Sequence, residues 1–235
     1  MATAACYTTG RYERGRIWLA ERVAARLVRD ARALGLGAHD AALVRERLLA
    51  AGRAAFGADG VGVVRLEARA GGALVPSTRA LGPEPERWRA ITAPLAHPGP
   101  GRAPGAKRAE VPALEAARAA AAAAGVDEAL LFDAAGRLVE GARTNLALVL
   151  ADGRAVTPPL VRGAVAGVAL EAVLAAGVAL AEADVSREAL AGIRELVATN
   201  AVRGARPIIA LDGRPVGGGR PGPLAGALAA ALARG

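Results

Sequence analysis

The strongest constraint on this chain is a cluster of prolines across its middle. Pro83, Pro85, Pro94, Pro98, Pro100 and Pro104 fall within residues 82–105, with Gly82, Gly99, Gly101 and Gly105 among them. Proline fixes φ and offers no N–H, so no long helix or central strand runs through such a stretch. Residues 93–105 therefore read as an interdomain linker. They divide the chain into a small N-terminal domain over 1–92 and a larger C-terminal domain over 106–235. His97 lies inside this segment and reads as a linker residue.

Both sides of the linker mix helical and extended patterns. A hairpin is expected over 6–19, broken at Gly10 and Gly15. Leu19, Val23, Leu27 and Ala31 recur at helical spacing, and Gly35 and Gly37 end that helix. A second helix over 41–55 follows His39-Asp40, and β-branched residues mark a strand over 61–68, with 73–75 pairing back after Gly71-Gly72. Beyond the linker, Pro112 opens a helix reaching Ala124. Strands are expected over 128–133, 137–140, 146–150, 178–182 and 195–199, and a hairpin over 208–216 turns at Asp212-Gly213. Helices are expected over 165–176 and 224–232, and a short one is capped by Ser186. The fold class is α+β (mixed α/β) in two domains, the C-terminal one larger and richer in strand.

The charge narrows the function classes. A net charge of +8 suggests nucleic acid. The arginines, however, are scattered among acids, and only 3% of residues are aromatic and available for base stacking. A basic pocket for an anionic small molecule fits the same charge, and nucleic acid is not expected as a partner. Cys6 is the single cysteine, so neither an intrachain disulfide nor a cysteine metal cluster can form. With His39 and His97 the only histidines, neither a metal site nor a Ser-His-Asp triad is expected. No basic-then-apolar leader and no uncharged run of membrane-spanning length is present, so a cytoplasmic protein without membrane contact is expected.

Lys107 is the only lysine among 30 lysines and arginines. Arginine stays protonated in proteins, whereas a lysine can lose its proton when partly buried and attack a carbonyl. A position that keeps lysine in an otherwise all-arginine chain points to amine chemistry; the competing reading is a surviving surface lysine.

Several motifs then fall in register after Lys107: Gly125-Val126-Asp127-Glu128-Ala129-Leu130-Leu131, Glu140-Gly141-Ala142-Arg143-Thr144-Asn145-Leu146, Thr157-Pro158-Pro159 with Gly163, and Thr199-Asn200-Ala201. Asn145 and Asn200 are the only asparagines. This order and spacing resembles the class IV aminotransferases, enzymes of pyridoxal 5′-phosphate (PLP) with fold type IV. The match runs from Lys107 to Pro207 and, more loosely, covers Cys6-Tyr7-Thr8-Thr9 and Arg26-Leu27. The family usually has a further strand before the segment matching Tyr7-Thr8-Thr9.

The resemblance implies a fold like that of D-amino acid aminotransferase, a homodimer whose second subunit completes the site, and PLP as cofactor. It implies that Lys107 holds PLP as a Schiff base and moves protons, and that Glu140 pairs with the pyridine nitrogen. Arg26 matches the phosphate-binding arginine, and Ala164, Val165, Asn200 and Ala201 fall where the family binds the cofactor. Hydroxyl side chains that the family often has at Val165 and Ala201 are missing, so the phosphate would lean on backbone donors and Arg26. Asn145, Arg203 and Arg206 are candidate substrate contacts. Among the activities of the family, Tyr7-Thr8-Thr9 and Asn200-Ala201 look most like 4-amino-4-deoxychorismate lyase, which makes p-aminobenzoate and pyruvate for folate synthesis. An amino acid aminotransferase of branched-chain or D-amino acid type is the alternative, and a degenerate non-catalytic member is a further one.

Overall fold

A computed structural model describes residues 5–234. Strand β1 (Ala5–Glu13) turns through Arg14 and Gly15, both at positive φ, into the short β2 (Arg16–Ile17). With β3 (Val61–Arg69) and β4 (Leu74–Ala80) these form a four-stranded antiparallel sheet in the order β2-β1-β3-β4. Two helices cover one of its faces. Helix α1 (Ala20–Ala33) follows from the predicted spacing and buries Val23, Leu27 and Ala31. It stops at Gly35, where a positive φ lets the Gly35 and Leu36 N–H groups return to the carbonyls of Arg32 and Ala31. Helix α2 (Ala41–Phe56) starts because Asp40 Oδ1 accepts the Leu43 N–H at 2.9 Å, and it ends at Gly57.

Alternation along β1 decides which residues meet the helices. Cys6, Thr8 and Tyr12 point into the helical layer, so Tyr7 and Thr9 face the other way. Register extends that second face: Tyr7 pairs with Glu67, Thr9 with Arg65, Arg65 with Ser77, and Val63 with Arg79. A polar, arginine-bearing sheet face results.

The second sheet has nine strands. They are β5 (Trp88–Thr92), β6 (Glu128–Phe132), β7 (Leu138–Gly141), β8 (Asn145–Val149), β9 (Ala155–Thr157), β10 (Ala181–Glu182), β11 (Glu195–Asn200), β12 (Gly204–Leu211) and β13 (Arg214–Pro215). Their order is β10-β9-β8-β11-β12-β5-β6-β7, with β13 beside β12. Pairings are mixed: β12–β5, β5–β6 and β9–β10 are parallel and the others antiparallel. Helix α3 (Pro112–Ala123) has proline in its first turn, as does α5 (Pro223–Ala233). Helix α4 (Val168–Ala175) packs on α1 and α5, and one apolar cluster runs from Val23 and Leu48 through Val173 to Leu228, fastening the sheets to a shared helical layer. This is the mixed two-part fold expected from the sequence.

Some elements differ from expectation. Residues 88–92 form a strand in the proline-rich stretch, because β5 lies between β12 and β6 and buries Trp88 completely. The chain thus leaves the first sheet at Ala80 and enters the second at Trp88, ahead of residues 93–105. The helix expected over 165–176 begins at Val168, and the strand over 178–182 shrinks to β10. Residues 93–105 hold no helix or strand but are pinned to β6, through Ala93 N–H to the Leu130 carbonyl (2.8 Å) and His97 N–H to the Phe132 carbonyl (2.7 Å).

Candidate active site

The polar face of the first sheet, the strand ends of the second and the buried face of α1 enclose a cavity of about 440 Å³. Lys107 enters it from a segment held on both sides. The Tyr7 N–H donates to the Lys107 carbonyl at 3.0 Å, and the Lys107 N–H donates to Asp30 Oδ2 at 2.8 Å. Asp30 is buried one turn after Arg26 on α1, so helix and lysine are fixed to each other. Burial pushes the Asp30 carboxyl up, against the opposing pull of the Lys107 N–H, Arg29 and Arg26. Lys107 Nζ lies 4.9 Å from the centre of the Tyr7 ring, and the Arg65 guanidinium lies 3.8 Å from it. Burial alone would raise the Tyr7 phenol, yet Lys107, Arg65 and Arg118 together hold it below its ordinary value.

Glu140, at the end of β7, is 3% exposed and lines the same cavity. Its Oε2 accepts the Val165 N–H at 3.0 Å, and its Oε1 lies 3.2 Å from His97 Nε2. The turn carrying Val165 is held from two sides. Asn145 Nδ2 donates to the Val165 carbonyl at 2.8 Å, and Gly163, at φ 109°, packs so closely on Gly99 that a Cβ there would sit 2.5 Å from the Gly99 carbonyl carbon. Beneath it, Glu128 supports the β6–β7 end by accepting from the Ala129 and Ala142 N–H groups and from the Thr144 hydroxyl.

Arg26 is 4% exposed and also lines the cavity. One of its terminal nitrogens donates to Thr8 Oγ1 at 2.9 Å, while its Nε has no partner. Burial pushes the guanidinium's value down, against the pull of Asp30. A buried guanidinium with a donor to spare suits an anion. Thr8 therefore sits under Arg26, and of the Thr8-Thr9 pair Thr9 is the one that reaches the cavity.

Of the residues singled out in the sequence, Arg26, Lys107, Glu140, Asn145, Val165, Asn200, Ala201 and Arg203 all line this cavity, while Ala164 is buried beside it. Asn200 Oδ1 accepts the N–H groups of Val202 and Arg203 at 2.9 and 2.8 Å, so that side chain closes the β11–β12 turn. Arg206 is apart: it lines a shallower groove of about 250 Å³ beside Trp18. Sequence reading missed Arg65, Arg79, Arg118 and Arg143, which bring further positive charge to the cavity, and Glu84, which pairs with Arg203 at 2.6 Å. Burial holds the Arg203 guanidinium below its ordinary value, with Arg206, Arg79 and Arg143 acting in the same sense and Glu84 against them. His97 was missed as well; far from being a bare linker residue, it is 6% exposed and touches Glu140.

The cavity thus combines one amine, one anchored carboxylate, a buried guanidinium with an unused donor, and a cationic rim. That set fits PLP. Arg26 suits the phosphate, Lys107 the aldehyde, and Glu140 a protonated pyridine nitrogen.

Fold and site together define an enzyme of fold type IV. The sequence profile of the amino-transferase class IV family matches residues 5–211, and the chain belongs to that family of PLP-dependent enzymes. A branched-chain amino acid aminotransferase from Escherichia coli superposes with a TM-score of 0.81 at 20% identity, over 96% of this chain and 83% of that one. A fold IV transaminase from Curtobacterium pusillum gives 0.77 at 26% identity, over 100% and 90%. A hypothetical aminotransferase from Mycobacterium tuberculosis in its PLP-bound form gives 0.77 at 20%, over 97% and 87%. No match is found among curated proteins. The three structures are described as aminotransferases or transaminases. Among the described residues no helix is long and apolar enough to cross a membrane.

Proposed function

We propose that this protein binds PLP on Lys107 and transfers the amino group of an amino acid that carries a second carboxylate. The observation carrying this reading is that Lys107, Glu140 and Arg26 share one cavity whose rim is arginine: Arg65, Arg79, Arg118, Arg143 and Arg203 against the single Glu84. A branched-chain side chain would be seated by an apolar wall, whereas paired guanidinium groups recognise carboxylates.

When bound, PLP supplies an electron sink for the pair left at the substrate's α-carbon. Arg26 and the backbone at Ala201 would hold the phosphate end, while the Val165 N–H is given to Glu140. Glu140, fixed through both oxygens, would hold the pyridine N–H. The Lys107 amine would take the substrate's α-proton and return it, and the bond between Asp30 and the Lys107 backbone N–H holds the root of that side chain in place. The arginine rim orients the substrate carboxylates and so sets which C–H bond faces Lys107. The protein is proposed to act in the cytoplasm as a homodimer.

A second reading, 4-amino-4-deoxychorismate lyase, is favoured by the same rim, because that substrate carries two carboxylates. Tyr7, Thr9, Asn200 and Ala201, the segments that look like the lyases, all line the cavity. The test is to give PLP-loaded enzyme glutamate, leucine and aminodeoxychorismate separately. Keto acid from glutamate supports the proposal, pyruvate from aminodeoxychorismate selects the lyase, and turnover of leucine alone contradicts the role of the arginines. No turnover of any of the three selects a degenerate family member.

A further inference from the structure

We infer that His97 is a positioning residue for Glu140, holding that carboxylate in one orientation through a donor fixed by the backbone of the proline-rich segment. The inference rests on the proposed role of Glu140 toward PLP. It goes beyond that role by giving a task to a segment that the family resemblance left as linker.

The geometry fixes both residues of the pair. The Gly99 N–H donates to His97 Nδ1 at 3.0 Å. Only a lone pair can accept that bond, so the proton of the ring is on Nε2. Nε2 lies 3.2 Å from Glu140 Oε1, and both side chains are almost completely enclosed, 3% and 4% exposed. The His97 backbone is itself fixed, its N–H donating to the Phe132 carbonyl at 2.7 Å. The second carboxylate oxygen takes the Val165 N–H at 3.0 Å. Each oxygen of Glu140 therefore has one donor, and rotation of the carboxylate breaks at least one of the two bonds. A lone pair remains on the cavity side. The contact of Gly163 on Gly99 makes the two donors one unit, since it packs the His97 segment against the turn that carries Val165.

Histidine suits this place because its ring is rigid and two-ended. One nitrogen reads the backbone and the other passes a fixed donor to the carboxylate, as second-sphere partners do for metal ligands. Glutamine can place an amide N–H near the Nε2 position, and leucine fills similar space with no donor.

His39 and His97 are the only histidines, so the test is spectrally simple. Apo protein labelled with ¹⁵N in histidine is examined by long-range ¹H–¹⁵N correlation, with His39→Ala identifying the other ring. The inference predicts that His97 carries its proton on Nε2, and that Glu140→Gln shifts the His97 signals. PLP affinity is then measured by fluorescence for the wild type, His97→Leu and His97→Gln. His97→Leu is predicted to bind about tenfold weaker or worse, with His97→Gln restoring most of the loss. A ring protonated on Nδ1, or signals indifferent to Glu140→Gln, overturns the pairing even without cofactor. Tight PLP binding by wild type and equally tight binding by His97→Leu overturns the positioning role and leaves the proposed function standing. Failure of wild type to take up PLP overturns both.

Discussion

Asn145 and Gly167 are coupled by a contact whose removal has a calculable consequence. A Cβ built on Gly167 lies 1.8 Å from Asn145 Oδ1, and its other close neighbours belong to the same side chain. The Gly167 backbone, at φ −82° and ψ 129°, is open to any residue. Glycine is therefore required by space alone. Gly167→Ala must push the Asn145 amide off the Val165 carbonyl, which leaves a partly buried acceptor unpaired and costs about 2 kcal/mol. Alanine returns about 0.5 kcal/mol by stiffening the unfolded chain, for a net loss of about 1.5 kcal/mol. Asn145→Ala loses the same hydrogen bond, about 2 kcal/mol, equivalent to a fall in Tm of about 4–8 °C for a chain of this size. In the double variant the bond is lost once and the Cβ has room. The expected total is about 1.5 kcal/mol rather than the additive 3.5 or so, a coupling of about 2 kcal/mol. Urea unfolding of the apo protein, followed by far-ultraviolet circular dichroism for all four chains, measures it. Losses that add to within about 0.5 kcal/mol would refute the claim that one contact fixes both residues.

Three further outcomes follow from other sites. Burial raises the Glu128 carboxyl despite its three donors, so its contribution is present below the ordinary carboxylate range and lost as pH rises through its elevated folded value. Glu128→Gln should match wild type in acid and exceed it by about 1 kcal/mol at pH 8, as read from chemical melts across that range. The Cys6 thiol is buried and its pKa is pushed up to about 12, first by burial and then by Asp30. A thiol reagent at pH 8 should therefore label the native protein at least about a hundredfold more slowly than the unfolded chain, and fast native labelling would contradict the enclosed β1–α1 layer. Arg203→Ala should raise KM for a dicarboxylic substrate about tenfold, whereas Arg206→Ala, outside the main cavity, should leave it near wild type; steady-state kinetics with equal effects would remove the distinction.

The parts legible in the sequence were those written in local chemistry. Helix α1 was visible in the spacing of Leu19, Val23, Leu27 and Ala31 and in Gly35, and α3 in Pro112 and Gly125. Lys107 stood out because the other basic residues are arginine, and Glu140 because its motif keeps register with that lysine. Strand β5 was hidden because its partners, β12 and β6, are distant in sequence and its flanks are full of proline. The cationic rim was hidden for a related reason: Arg65, Arg79 and Arg118 sit on three separate elements, and strand register with helix packing brings them together. Proline density correctly reported a lack of regular structure around His97 but carries no information about burial. The one available signal was that only two histidines exist and one lies ten residues before Lys107.

The central claim is that Lys107 is the residue to which PLP attaches. Protein loaded with PLP, reduced with borohydride, digested and mapped by mass spectrometry tests it most directly, with Lys107→Arg as the control. The account predicts a visible cofactor band in wild type, the reduced cofactor on the peptide containing Lys107, and neither in Lys107→Arg. A normal cofactor band in Lys107→Arg, or the label on another residue, would contradict it.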